Sequence, residues 1–153
     1  MSNQALLEGF YAAFARRDGE AMAAAYAPAA TFSDPVFVGL RDGEPGAMWR
    51  MLTSRSADLA VELVSCTADD ATGKAHWIAT YTFGQTGRKV VNDVRSSFRF
   101  ADGKIVDQRD EFDFHRWAGQ ALGLSGKVLG GTSLLRKKVQ GTARAGLDAF
   151  RAG

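Results

Sequence analysis

The apolar residues of this chain change their period once, and that change limits the fold more than any other feature. Up to about residue 56 they recur every three to four positions. From Asp58 they recur every second position through four segments, Asp58 to Thr67, Lys74 to Phe83, Arg88 to Phe100 and Lys104 to Phe114. The first spacing marks helices that bury one stripe, and the second marks strands that bury one side. Between the four segments lie Asp69-Asp70-Ala71-Thr72-Gly73, Gly84-Gln85-Thr86-Gly87 and Ala101-Asp102-Gly103, all of turn composition. A long antiparallel meander follows from that alternation.

Leu6, Leu7, Phe10, Tyr11 and Phe14 place a first helix over residues 3 to 16. Asp18 caps a second that carries Met22, Ala25 and Tyr26 and stops at Pro28. Ala30 to Val38 reads as a short edge strand interrupted by Pro35. Asp42 and Pro45 open a third helix through Met48, Trp49, Met51 and Leu52. Past the meander, Asp113 caps a helix from Phe114 to Leu122 that Gly123 stops. Residues 123 to 131 read as a flexible connection, and a last amphipathic helix with a basic face spans Thr132 to Phe150. Packing over the barrel mouth, or on a partner subunit, is the expected use of that helix.

Three helices followed by a twisted sheet of this length close by wrapping the sheet around the helices. The expected fold class is α+β, a cone-shaped half-open barrel with three N-terminal helices inside the curve and extra helices at the C-terminus. A chain of 153 residues at 46% hydrophobic supports one core. Residues 1 to 122 are therefore read as the domain, and residues 123 to 153 as its helical extension. A net charge of +2 without a concentrated basic stripe points away from nucleic acid. The opening residues lack a leader pattern and no segment has the length of a membrane span, so a cytoplasmic protein without membrane partners is expected. One cysteine and two separated histidines, His76 and His115, offer no disulfide and no zinc spacing, so neither metal nor cofactor is expected.

The strands carry polar residues where apolar ones belong. In Arg88 to Phe100 the even positions Val90, Val94, Phe98 and Phe100 define the buried side, and Asn92 and Ser96 share it. In the next strand Val106, Phe112 and Phe114 define the even side, which holds Gln108 and Asp110, whereas Ile105 falls on the polar side and implies a bulge. Asp110 is thus a candidate buried carboxylate. Asp34 follows Phe32 by two residues and points the same way, either lining a pocket or starting the turn at Pro35. In Lys74 to Phe83, Trp77 and Tyr81 share a stripe with Ala75, Ala79 and Phe83, and His76 and Ile78 face outward. Each polar group has a structural reading, a satisfied hydrogen bond or ion pair, and a functional one, contact with a ligand in the hollow end of the cone.

Three stretches carry a family resemblance: Tyr26-Ala27-Pro28 with Ala30-Thr31-Phe32-Ser33-Asp34-Pro35-Val36, then Phe98-Arg99-Phe100-Ala101-Asp102-Gly103-Lys104-Ile105, then Arg109-Asp110-Glu111-Phe112-Asp113. In order and spacing they resemble the SnoaL-like and ketosteroid isomerase-like branch of the nuclear transport factor 2-like superfamily. The resemblance implies that Asp34 matches the proton-shuttling aspartate of the isomerases. Their hydrogen-bond-donating tyrosine falls on Phe10 and their protonated aspartic acid on Ser96, which leaves Tyr11, Tyr81 or Asn92 to stabilise an oxyanion. The last stretch is also similar to limonene epoxide hydrolases and matches Asp110 to a catalytic acid, while the arginine and second aspartate of that site fall on Trp77 and Ala79.

The expected catalytic residues are Asp110 and Asp34. The expected substrate-contacting residues are Tyr81, Asn92, Trp77, Ser96, Gln108, Phe112, Tyr11, Phe14 and Trp49. The function that follows is cofactor-independent acid–base chemistry, of isomerase, cyclase or hydrolase type, on a small hydrophobic cyclic or polyketide-like molecule. Two alternatives remain: a non-catalytic carrier of the same ligand, and an interaction module that pairs as a homodimer through the outer sheet face of His76, Ile78, Val91 and Arg95.

Overall fold

The computed structural model describes residues 2–153. Helix α1 (Asn3–Ala15) starts where the Ser2 side chain accepts from the Ala5 N–H, and it buries Leu6, Leu7, Phe10, Tyr11 and Phe14 as its spacing requires. Asp18 caps α2 (Gly19–Ala24) through the Ala21 N–H. This helix is shorter than expected. Tyr26 and Pro28 belong instead to β1 (Tyr26–Ser33), which runs parallel to the last strand at the sheet edge. The pairing shifts between Tyr26 and Thr31, so Pro28 sits exposed where no ladder bond is asked of it. Pro35 lies in the turn that follows β1, outside any strand.

Helix α3 (Glu44–Arg55) carries Pro45 in its first turn and packs on α2 at close range. A Cβ on Gly19 would stand 2.5 Å from Thr53 Oγ1 and 2.8 Å from Arg50 Cα, a separation only glycine permits. Strands β2 (Ala60–Ala68), β3 (Thr72–Phe83), β4 (Arg88–Ala101) and β5 (Lys104–Glu111) then form the meander, giving the order β1-β5-β4-β3-β2. This curved, unclosed sheet around helices is the α+β cone expected from the periodicity. On β3 and β4 the buried positions are the predicted ones, with Ala75, Trp77, Ala79, Val90, Val94 and Phe98 in the core. His76 and Ile78 are half-buried and Val91 and Arg95 exposed on the outer face, where His76 Nε2 lies 2.8 Å from Asp93.

Strand β5 departs from simple alternation. Phe100 pairs with Ile105 but Arg99 pairs with Asp107, which leaves Val106 as the extra residue of a bulge. Ile105 is consequently buried and Val106 only half-buried, the reverse of the even-face expectation, while Gln108 and Asp110 still face inward. Asp107 is buried at the edge and accepts from Thr31 Oγ1 at 2.5 Å.

Asp113 caps α4 (Phe114–Leu122) as expected. Residues 123 to 131, expected to be a flexible connection, instead contain α5 (Leu124–Leu129). A Cβ on Gly126 would fall 1.9 Å from the Ala118 carbonyl oxygen, so the absence of a side chain lets α5 lie directly on α4. Helix α6 (Ser133–Ala152) returns across the molecule and buries Leu147 in the main core. Its anchor is Glu44, which is 8% exposed and accepts from Arg144 Nη1 at 2.5 Å and Nη2 at 3.2 Å, with Arg151 at 3.5 Å. Glu44→Gln is expected to cost about 1–2 kcal/mol, less than a stranded buried charge would, because both guanidiniums keep contact with water. Thermal unfolding reads that loss, and limited trypsin digestion is expected to cut α6 sooner; an unchanged digestion rate would show that the apolar contacts of α6 hold it without the ion pairs.

Candidate active site

A cavity of 760 Å³ lies between the sheet, α3, α4 and α6. That volume falls within the range of small-molecule sites, roughly 300–1,000 Å³. Its wall includes Phe14, Trp49, Trp77, Tyr81, Asn92 and Phe112, together with Asp34 and Asp110. Tyr11, Ser96 and Gln108 were expected to contact a ligand, but they lie behind the wall, where they hold Asp110.

Asp110 is 4% exposed and stands directly across from Ser96 in the β4–β5 pair. Two hydrogen-bond relays converge on it. In the first, Trp49 Nε1 donates to Tyr26 Oη at 2.6 Å and Tyr26 donates to Gln108 Oε1 at 2.5 Å. Gln108 Nε2 then donates to Asp110 Oδ1 at 3.0 Å. In the second, Trp77 Nε1 at 2.8 Å and Tyr11 Oη at 3.1 Å both donate to Ser96 Oγ, whose own hydrogen goes to the Asp110 carboxylate. An indole N–H can only donate, so each relay has a single direction, toward Asp110. The same constraint orients the Gln108 amide. Both relays end in donors to Asp110, and the carboxyl itself lines the cavity, where it is open to a ligand.

Burial raises the Asp110 carboxyl to about 7; the Ser96 and Gln108 bonds pull it down and the nearby Asp34 charge pushes it up. Asp34 serves both roles considered for it. Its Oδ1 accepts from the N–H groups of Val36 at 2.7 Å and Phe37 at 2.6 Å, closing the turn at Pro35, and the carboxyl also lines the cavity. Burial raises it to about 6 against those two backbone bonds. Among the described residues neither acid forms an ion pair.

On the same cavity wall, Tyr81 Oη accepts from Trp117 Nε1 at 2.9 Å, which leaves its own hydrogen free for a ligand. Burial, with a contribution from Asp34, raises its phenol, so Tyr81 is a neutral donor at physiological pH. Asn92, half-buried on the same wall, makes no side-chain hydrogen bond among the described residues. The cavity wall thus combines two high-pKa acids with neutral donors among aromatic side chains. No group of three His, Cys, Asp or Glu side chains that could hold a metal occurs among the described residues.

Three contributors were not singled out from sequence. Tyr26 was assigned to a helix, which hid its hydroxyl from the sheet. Trp117 falls inside the helix expected from Phe114 to Leu122, and the need of a buried indole for an acceptor was a usable signal. The wall residues of α6, Leu135, Val139 and Ala143, matched the expected helical stripe, but their position over the mouth depends on the fold.

A family model described as the SnoaL-like domain matches residues 7–108. Comparison with curated protein sequences finds no significant match. Among solved structures the chain is similar to a protein of ketosteroid isomerase-like fold from Catenulispora acidiphila, in complex with trimethylamine. The TM-score is 0.67 at 13% identity over 80% of this chain and 95% of the other. It is also similar to IdmH, a candidate polyketide cyclase from Streptomyces antibioticus, with TM-score 0.64 and 21% identity over 81% of this chain and 100% of the other. An LEH-like epoxide hydrolase from M. tuberculosis gives TM-score 0.64 and 24% identity over 81% of this chain and 92% of the other. At these identities the likeness is one of fold.

Proposed function

The chain belongs to the SnoaL-like domain family, and from that premise we propose a cofactor-independent acid–base enzyme that enolises an apolar cyclic or polyketide-like ketone. The observation that carries the reading is Asp110, a carboxylate near pKa 7 served only by donors and open toward the cavity. In the proposed step the Asp110 carboxylate takes a proton from the carbon beside the ketone, and the electrons of that C–H bond form the enolate. The Tyr81 hydroxyl, polarised by Trp117, donates to the enolate oxygen, with Asn92 as a second donor. The proton then held by Asp110 is delivered to a second carbon of the enolate, which re-forms the ketone and frees the carboxylate, while Asp34, titrating about one unit lower, adds a second acid on the same wall.

Enolisation is preferred to water-dependent hydrolysis because Trp77 and Ala79 occupy the positions where the resemblance to limonene epoxide hydrolases would need an arginine and an acid. A purely structural interaction module is disfavoured by the open cavity and by two acids without ion pairs. A carrier without turnover uses the same wall, and one measurement separates it. Deuterium uptake from D₂O by 2-tetralone, followed by proton NMR, is expected to run above the buffer rate with the wild-type protein. Tyr81→Phe is expected to slow it on the order of 10²-fold, the usual effect of losing one oxyanion donor. Ligand binding without any exchange above buffer would leave the carrier.

A further inference from the structure

Four charged side chains line the cavity, and their placement is ordered by sign. Asp110 is buried and Asp34 half-buried, whereas Arg55 and Lys138 are exposed at its edge. We propose that Arg55 and Lys138 form an anion site at the mouth, so that the cavity takes apolar ligands bearing a carboxylate or similar group at one end. The inference rests on the reading of the cavity as a ligand site and names its substrate class: an apolar keto acid, ketone inward and acid outward.

Neither cation is committed elsewhere. The arginines that dock α6, Arg144 and Arg151, are both spent on Glu44, while Arg55 and Lys138 form no ion pair among the described residues. Arg55, in the last turn of α3, is nonetheless positioned. Its guanidinium lies over the Phe150 ring, 5.7 Å from the centroid, and Nη1 would stand 4.0 Å from a Cβ on Gly146. Lys138 lies on α6 two turns before Gly146, about 12 Å along the axis. Thr142, also on the wall, sits between them. The basic edge of the cavity therefore follows α6 from Lys138 to the Arg55 contact.

The sign order also fixes orientation. An anionic group driven inward would meet two carboxyls in an apolar space, the setting in which like charges repel most strongly. At the edge the same group meets a cation and water. An apolar ketone with one acidic end thus has a single favourable direction of entry, with its neutral body against the aromatic wall and its carbonyl toward Tyr81 and Asp110.

The test compares two naphthalene probes of opposite character, the anionic 8-anilinonaphthalene-1-sulfonate and the neutral 6-propionyl-2-dimethylaminonaphthalene. All three tryptophans, Trp49, Trp77 and Trp117, line the cavity, so loss of their emission reports a probe inside it. The double variant Arg55→Gln, Lys138→Gln is expected to weaken the anionic probe about tenfold, the loss of one charge-assisted contact, and to leave the neutral probe unchanged. Added salt is expected to reproduce that difference in the wild type, and Arg55→Lys with Lys138→Arg to preserve anionic binding. Equal loss of both probes, or no loss of either, overturns the anion site while leaving the cavity reading in place. Failure of both probes to quench the wild type overturns the cavity reading as well.

Discussion

Asp110→Asn is expected to stop ketone exchange while leaving the protein folded and able to bind. The loss should reach roughly 10³–10⁴-fold, the upper part of the range for a positioned general base. Asparagine keeps the size of the side chain, and its carbonyl oxygen still accepts from Gln108 Nε2. What disappears is the carboxylate that takes the proton. The neutral naphthalene probe should therefore quench tryptophan emission in the variant as in the wild type. A variant that binds and still exchanges 2-tetralone at more than a tenth of the wild-type rate would move the base to Asp34.

The second large effect is on stability, with a sign opposite to ordinary acid denaturation. Asp110 and Asp34 have folded pKa values of about 7 and about 6 against an ordinary value of 3.8. Between those limits the folded protein holds protons that the unfolded chain has released. Stability is thus fully present below the ordinary value and is lost as the pH rises through 6 and 7. The loss is on the order of 4 kcal/mol in total, less than the sum of two separate shifts because part of the rise at Asp110 comes from the Asp34 charge.

Asp18, Glu44, Asp58 and Asp69 have lowered values and act the other way. Their stabilisation is present above the ordinary carboxylate range and is lost as the pH falls through their folded values. The protein should accordingly be most stable near pH 4–5. Urea unfolding followed from about pH 5 to about pH 8 is expected to show a falling midpoint, and Asp110→Asn to flatten most of that fall and to exceed the wild type at the alkaline end. A midpoint constant across that range would mean that the Asp110 carboxyl is solvated. The same substitution would then also lose its rationale for catalysis. Activity and stability are opposed at this residue, since the desolvation that makes it a base at neutral pH is what destabilises the fold there.

Much of this site was legible before the fold. The even positions of β4 put Asn92 and Ser96 inside because a strand alternates strictly, and the aromatic stripe of β3 followed from the same rule. Asp110 was legible through a bulge signalled by one misplaced isoleucine. The edge strand expected from Ala30 is present, but its start at Tyr26 was missed because Pro28 reads as a helix stop, whereas a sheet edge tolerates it equally well. The flexible link failed because glycine content signals freedom only where no neighbour uses the missing side chain, and Ala118 uses that of Gly126.

By itself the sequence determined which residues share a face, since periodicity, caps and turns depend on neighbours within a few positions. It therefore determined that an acid would lie among aromatics. Only the tertiary structure decided what that acid touches. Tyr26 reaches Gln108 across 82 positions and Tyr11 reaches Ser96 across 85, and the cationic rim exists only because α6 closes back over α3. Such pairings are set by how packed elements meet in space, and no local pattern encodes a contact whose two halves are folded together from opposite ends of the chain.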